Sequence, residues 1–454
     1  MRRWWWLTIG MLFWGSTALF AQPLTLDRCI QMALASHPSV QIALNQKEQA
    51  TARRRQAEAQ LLPDLSLNAT GRFQGPIVTF LVPLPTAPSP QEITIVPSLT
   101  HLVNVELRQS VYSGGRFGHA IRGARHYEMA AEKSLEASRR QLILNVTEAY
   151  ADLVSAQEME RVALQAKERV MIILQTAKAR VEAGVAPKFD VLRAEAEMAS
   201  VEEQLLQAHN AVLLAMAALN EWIGQPPRTK LELVPLQEPP DIPTDRWDDP
   251  RLTEQALALR PEMQALHYQI EARRARVRFA RADSRPLAFL SSNYQQQQAT
   301  GFTKGFQWGI SLLVQFPIFD SGRRQRVLEE EEAALQQTLW QREQLAKAIR
   351  LEVDGAIRGV QLGYQRMATA RSALSAAEEA FRLAKTRYEA GVGTLVEVWD
   401  AQVALTRARA SFVQALYDTH KALARLSFAT ATPLDDILRL IRHPVDKNQK
   451  DGRG

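Results

Sequence analysis

The sequence predicts a mainly α fold with a small β part, built from long antiparallel coiled-coil helices and duplicated within one chain. Three observations carry this prediction. Motifs recur at a fixed spacing. Two stretches of 68 residues, 116–183 and 323–390, contain no proline and carry an apolar heptad repeat. Short segments in each half alternate apolar with polar residues.

The duplication organises everything else. Arg180-Val-Glu-Ala-Gly-Val-Ala matches Arg387-Tyr-Glu-Ala-Gly-Val-Gly at an offset of 207, and Tyr112-Ser-Gly-Gly-Arg matches Phe319-Asp-Ser-Gly-Arg at the same offset. Earlier in each half, His37-Pro38 matches Arg260-Pro261 and Leu62-Pro63 matches Arg285-Pro286, at an offset of 223. The offset therefore changes by 16 between Pro63 and Tyr112, where Pro76, Pro83, Pro85, Pro88, Pro90 and Pro97 cluster. The two halves should carry differently sized loops at this point, and the proline-rich one should hold no regular structure.

Residues 22–223 form the first repeat and 251–430 the second. Between them, residues 224–250 hold seven prolines and read as an irregular linker. Residues 431–454 read as a flexible tail. In each half a helix of about two dozen residues ends at proline (39–62 and 262–285), followed by strands around a loop, a very long helix, a glycine turn and a further helix (187–222 and 394–429).

In the second long helix Ile349, Val353, Ala356, Val360, Gly363 and Met367 open a seam that steps by four and three as far as Tyr388. That spacing is a heptad repeat. One of its two positions is nearly always Ala or Gly, so a partner helix can approach closely. The matching seam of the first half is broken only at Glu160 and Lys167. The two shorter helices of each half sum to nearly the length of the long one, so they can stack end to end along it.

Composition limits the function classes. A chain of 454 residues with 46% hydrophobic and 23% charged residues is a folded protein. One cysteine excludes a disulfide framework or a multi-cysteine metal site. The eight histidines form no HxxxH pair, and a net charge of +6 over this length is too thin a basis for nucleic-acid binding. Arg2 and Arg3 precede an apolar run from Trp4 to Phe20, and small residues follow at Ala18 and Ala21, which makes residues 1–21 a secretory signal peptide. Cys29 follows Asp27-Arg28 and reads as one apolar-face residue of a short helix, not a lipid attachment point.

An exported chain with alternating strands suggests a membrane barrel. Leu65, Leu67 and Phe73 alternate with Ser66, Asn68 and Arg72. Val103, Val105 and Leu107 alternate with Asn104, Glu106 and Arg108, and Ile310, Leu312, Val314 and Phe316 repeat the pattern. Residues 288–294 are less regular. Four strands cannot close a barrel, since the smallest single-chain barrels have about eight, so closure must be shared between chains.

The chain resembles the TolC-like outer membrane efflux proteins over residues 24–429. The resemblance rests on Leu24-Thr-Leu-Asp with Ala33 and His37-Pro38, Leu62-Pro-Asp-Leu-Ser-Leu, the Ser113-Gly-Gly-Arg and Asp320-Ser-Gly-Arg strand exits, and the two glycine turns. It implies a homotrimer in which a trimeric α-barrel in the periplasm joins a 12-stranded transmembrane β-barrel in outer membrane lipid. It also implies docking to a periplasmic adaptor (membrane fusion) protein and to an inner-membrane pump of the resistance-nodulation-division or ABC type. The expected function is a passive duct of a tripartite efflux or secretion system, without enzymatic activity, cofactor, metal or nucleic acid. A second reading is a periplasmic coiled-coil spacer; heat-modifiable, detergent-requiring trimers that conduct ions would separate the two.

There is no nucleophile elbow, phosphate loop or paired catalytic motif. The resemblance instead places function at the tunnel's narrow end. It maps Glu397 and Asp400, three residues apart on one helical face, onto acidic constriction rings, with Asp190 as the matching acid of the first half. Thr394-x-x-Glu397 is also a capping box, which gives Glu397 a structural role as an alternative. Tyr388 resembles a gate-linking tyrosine, although the basic residue expected just after the turn is replaced by Gly393. Gly184, Val185, Gly391, Val392 and Gly393 form the tips where the adaptor would dock.

Overall fold

The computed structural model describes residues 23–83, 88–96, 98–239, 250–298, 305–433 and 436. The expected signal peptide, the middle of the proline-rich loop, the end of the inter-repeat linker and most of the C-terminal tail lie outside them. The first repeat runs through α1 (Leu26–Ser36), α2 (Pro38–Ala59), β1 (Asp64–Phe73), β2 (Val78–Val82), β3 (Gln91–Val96), β4 (Leu99–Tyr112), α3 (Arg116–Glu182) and α4 (Lys188–Ile223). The second runs through α5 (Pro250–Leu259), α6 (Pro261–Ala282), β5 (Leu287–Gln298), β6 (Gly305–Gln315), α7 (Arg323–Glu389) and α8 (Leu395–Thr430).

Prolines place the helix starts. His37 and Arg260 are extended at ψ 132° and 126°, as a residue before proline must be, and Pro38 and Pro261 then open α2 and α6 at a position whose N–H has no helical partner. α3 and α7 are each 67 residues long, about 100 Å at 1.5 Å per residue. α2 and α4 both pack along α3, and α6 and α8 along α7; α3 further packs on α6 and α8, joining the repeats. Near the strands the helices therefore stand side by side in the order α2, α3, α6, α7.

The seam is buried as the heptads predict. Ile349, Val353 and Val360 of α7 pack with Leu423 and Leu426 of α8, and Leu142, Val146 and Leu153 of α3 pack with Val212 and Leu219 of α4. The two polar breaks in the first seam are met from α4. Glu160 lies 2.7 Å from His209 Nδ1 and Lys167 lies 3.0 Å from Glu202. Cys29 is fully buried against this core, and burial pushes its thiol up to about 11. A lipidated cysteine could not occupy that position.

β1, β4, β5 and β6 form one antiparallel sheet in that order. Leu65 pairs with Leu107, Leu67 with Val105, Leu290 with Leu312 and Ala288 with Val314, so one face is mostly apolar, interrupted by Ser292 opposite Leu107 and Gln296 opposite Val103. The other carries Ser66 opposite Glu106, Asn68 opposite Asn104, and Ser291 opposite Ser311 with their hydroxyls 2.7 Å apart. Among the described residues nothing covers the apolar face: Leu67 is 69% and Ile310 67% exposed. Burying such side chains stabilises by roughly 1.5–3 kcal/mol each, so this face calls for an apolar solvent. No helix among the described residues is long and apolar enough to cross a membrane.

The structure corrects the expectation for the proline-rich stretch. The connection expected to hold no regular structure contains the β2–β3 hairpin, separate from the main sheet. Pro76, Pro83 and Pro90 stand outside the strands, where a missing N–H costs no ladder bond. β5 also extends further than its pattern suggests, because the run Gln295–Gln298 pairs with β4 despite having no alternation.

Candidate functional site

At the far end from the sheet, α3–α4 and α7–α8 turn in the same way. In the first turn the Gly184 N–H donates to Val181 O and the Val185 N–H to Arg180 O, each at 3.0 Å. In the second, Gly391 donates to Tyr388 O and Val392 to Arg387 O, again at 3.0 Å. This double closure of a helix end needs a left-handed residue, and Gly184 and Gly391 supply it at φ +73° and +77°. Gly393 is constrained differently: a Cβ there would lie 2.9 Å from Arg387 Cβ. A side chain at this position would require the turn to open.

Thr394 caps α8, its hydroxyl accepting the Glu397 N–H at 3.3 Å. Glu397 also lies 3.7 Å from Arg387 Nε, with both side chains largely exposed. Asp400, one turn on, is exposed and makes no ion pair among the described residues. Asp190 sits half-buried in the first turn of α4, its N–H bonded to Pro187 O at 3.1 Å. No hydrogen bond or ion pair joins Asp190 to Glu397 or Asp400 among the described residues. The offset of 207 sets Arg193 opposite Asp400, so the two tips differ in charge at that level.

Tyr388 is brought together with the other repeat. Its ring is buried beneath the Arg180 guanidinium, 4.2 Å from the ring centroid, and Arg180 donates to the Tyr388 carbonyl at 2.9 Å. The tyrosine hydroxyl and the nearby Trp399 indole N–H are buried, with no hydrogen-bond partner among the described residues. Around them pack Val170, Ala177, Ala194, Leu395 and Val398. Sequence reasoning missed this tie between repeats; its signal was the arginine shared by both turn motifs, Arg180 and Arg387. Val185 and Val392 project at the tips, 75% and 71% exposed, and Phe189, 63% exposed, was not anticipated. No cluster of three or more metal-ligating side chains occurs among the described residues.

The sequence model described as "Outer membrane efflux protein" matches residues 29–225 and 252–432. The chain belongs to the outer membrane efflux protein family. Outer membrane protein OprJ of Pseudomonas aeruginosa is 25% identical over 456 residues, covering 96% of this chain and 89% of OprJ. The cobalt-zinc-cadmium resistance protein CzcC of Cupriavidus metallidurans is 25% identical over 360 residues, covering 77% and 81%. The crystal structure of outer membrane protein VceC from Vibrio cholerae superposes with a TM-score of 0.74 at 22% identity, covering 90% of this chain and 96% of VceC. The chain is thus an outer membrane channel of a tripartite efflux or secretion system, reaching into the periplasm. The matched proteins are named as channels, resistance and export proteins. The spacer reading is set aside, because a spacer would leave the apolar sheet face in water.

Proposed function

We propose that three copies of this chain form a passive duct that takes cargo from an inner-membrane pump and a periplasmic adaptor to the exterior. The observation that carries this is the sheet, whose four strands leave β1 and β6 as open edges and one face mostly apolar and exposed. Unpaired edges are not tolerated in lipid. The homotrimer implied by the family resemblance closes them with twelve strands, within the range of bacterial barrels. A mass measurement in mild detergent should give three chains; a stably folded monomer would overturn the proposal.

Within this duct we assign residues 1–21 to a removed signal peptide, 22–223 and 251–430 to the two repeats, 224–250 to their linker and 431–454 to a tail. Glu397, Asp400 and Asp190 line the narrow periplasmic end, and Tyr388 ties the gate helices through Arg180. The exposed Val185, Val392 and Phe189 with Gly184, Gly391 and Gly393 form the surface that meets the adaptor. The β2–β3 hairpin then lies outside the cell. Protease added to intact cells should cut within residues 76–97; complete protection, with outer-face access verified, would reverse the topology.

A further inference from the structure

Just below the sheet, a cavity of about 660 Å³ is lined by Arg53 of α2, Arg116 of α3, Arg276 of α6 and Arg323 of α7. These four are two pairs related by the duplication: 53 and 276 differ by the offset of 223, and 116 and 323 by 207. α2 and α7 are the outer members of a four-helix wall, yet residues from both line this one cavity. The wall must therefore curve toward it. In a tube closed by several copies the concave side is the lumen, so the same arginines recur around the duct where the helices meet the barrel.

Their charge is only half neutralised. Arg116 pairs with Asp283 at 3.0 Å and Arg276 with Glu331 at 3.2 Å, whereas Arg53 and Arg323 make no ion pair among the described residues. At the equivalent positions the other repeat holds no acid. The position matching Asp283 is Gln60, and the one matching Glu331 is Ala124. Asp283 and Glu331 themselves line the cavity, and apart from His119 the rest of the lining is apolar, including Tyr127, Val327 and Phe279, whose ring centroid is 5.1 Å from the Arg116 guanidinium carbon. His119, also in the lining, is held below the usual histidine range by burial and by Arg122, Arg278 and Arg285, consistent with a positive local field.

We infer that this cavity binds amphiphilic anions, cargo bearing a carboxylate, sulfonate or phosphate on an aromatic or aliphatic body. The inference rests on the duct reading and names a substrate class for it. Guanidinium groups bind such oxyanions in a bidentate fashion and stack on aromatic faces, and the apolar wall takes the body of the molecule. An anion that has passed the acidic tips would meet attraction ahead and repulsion behind.

The test uses the full-length protein in planar bilayers, with naphthalenetrisulfonate added on the barrel side so that it reaches the cavity without crossing the tips. The probe should block wild type, while the neutral naphthalenediol should not. In Arg53→Gln/Arg323→Gln the blocking concentration should rise at least about tenfold, and in Arg53→Lys/Arg323→Lys, which keeps the charge, it should stay within about threefold of wild type. If the glutamine pair does not assemble, each single Gln variant should still raise it by about threefold. Conducting wild-type channels that the probe does not block, or Gln variants blocked as strongly as wild type, would overturn the inference. Absence of any conductance would instead count against the duct.

Discussion

Gly363→Leu should lower the unfolding midpoint markedly, whereas Gly359→Ala, one turn away on the same helix, should raise it. Gly363 faces α8 at the seam position reserved for small residues. Even a Cβ there would sit 2.9 Å from Thr419 Oγ1 and 3.2 Å from Thr419 Cα. Thr419 cannot yield: it is fully buried, and its hydroxyl donates to Ala415 O at 2.7 Å. A leucine would therefore force α7 and α8 apart and unpack Tyr364 and Leu423 beside it. Overpacking of this kind costs on the order of 3 kcal/mol, more than the ~1 kcal/mol that leucine gains over glycine in helix propensity. At Gly359 the nearest atom to a new Cβ is Ala422 Cβ at 3.9 Å, an ordinary contact. There only the propensity gain operates, roughly 0.5–1 kcal/mol in favour of alanine. Thermal or denaturant unfolding followed by helix content, with all three proteins in one detergent, compares them directly. A Gly363→Leu midpoint equal to wild type would mean that close approach of α7 and α8 does not hold the hairpin together.

That glycine illustrates what a sequence of this type discloses. A strict heptad over many turns admits one geometry, so the long helices were expected within one residue of their observed ends, and the duplication checked each half against the other. The less legible elements are those whose neighbours set their structure. β5 carries Ser291, Ser292 and four glutamines, and it is a strand because β4 and β6 flank it, not because of its own pattern. α5 follows a proline-rich linker and owes its place to packing of Leu252 and Ala256 against α7 and α8. The β2–β3 hairpin was hidden because prolines at strand ends look, in sequence, like prolines that break strands. At the tips, the turn glycines and the cap were written locally and could be read. The stacking of Arg180 on Tyr388 joins residues 208 apart and could not. The arginine cavity lay further out of reach, since its lining comes from four helices and its sense depends on which way the wall bends.

At the opposite end from that cavity, Glu397→Gln with Asp400→Asn should make the channel less cation-selective and weaken its block by multivalent cations. Three chains would gather about six of these carboxylates around one axis, and like charges so placed concentrate cations and retard anions. The two acids should contribute unequally. Glu397 is partly offset by Arg387 at 3.7 Å, whereas Asp400 is exposed and has no ion pair among the described residues, so Asp400→Asn alone should account for most of the change. Stability does not confound the comparison. The cap bond runs from the Glu397 backbone N–H to the Thr394 hydroxyl, and a glutamine keeps it. The Arg387 pair is exposed and worth at most about 1 kcal/mol. If Glu397 served only to cap the helix, Thr394→Ala would cost on the order of 1 kcal/mol and the double neutralisation would leave selectivity where it was. Reversal potentials across a salt gradient, measured on wild type, both single variants and the double variant, separate these outcomes. A permeability ratio that falls several-fold, chiefly with Asp400, places the acids at the constriction. A ratio that does not move removes them from it while leaving the barrel, its edges and its apolar face as the case for a duct.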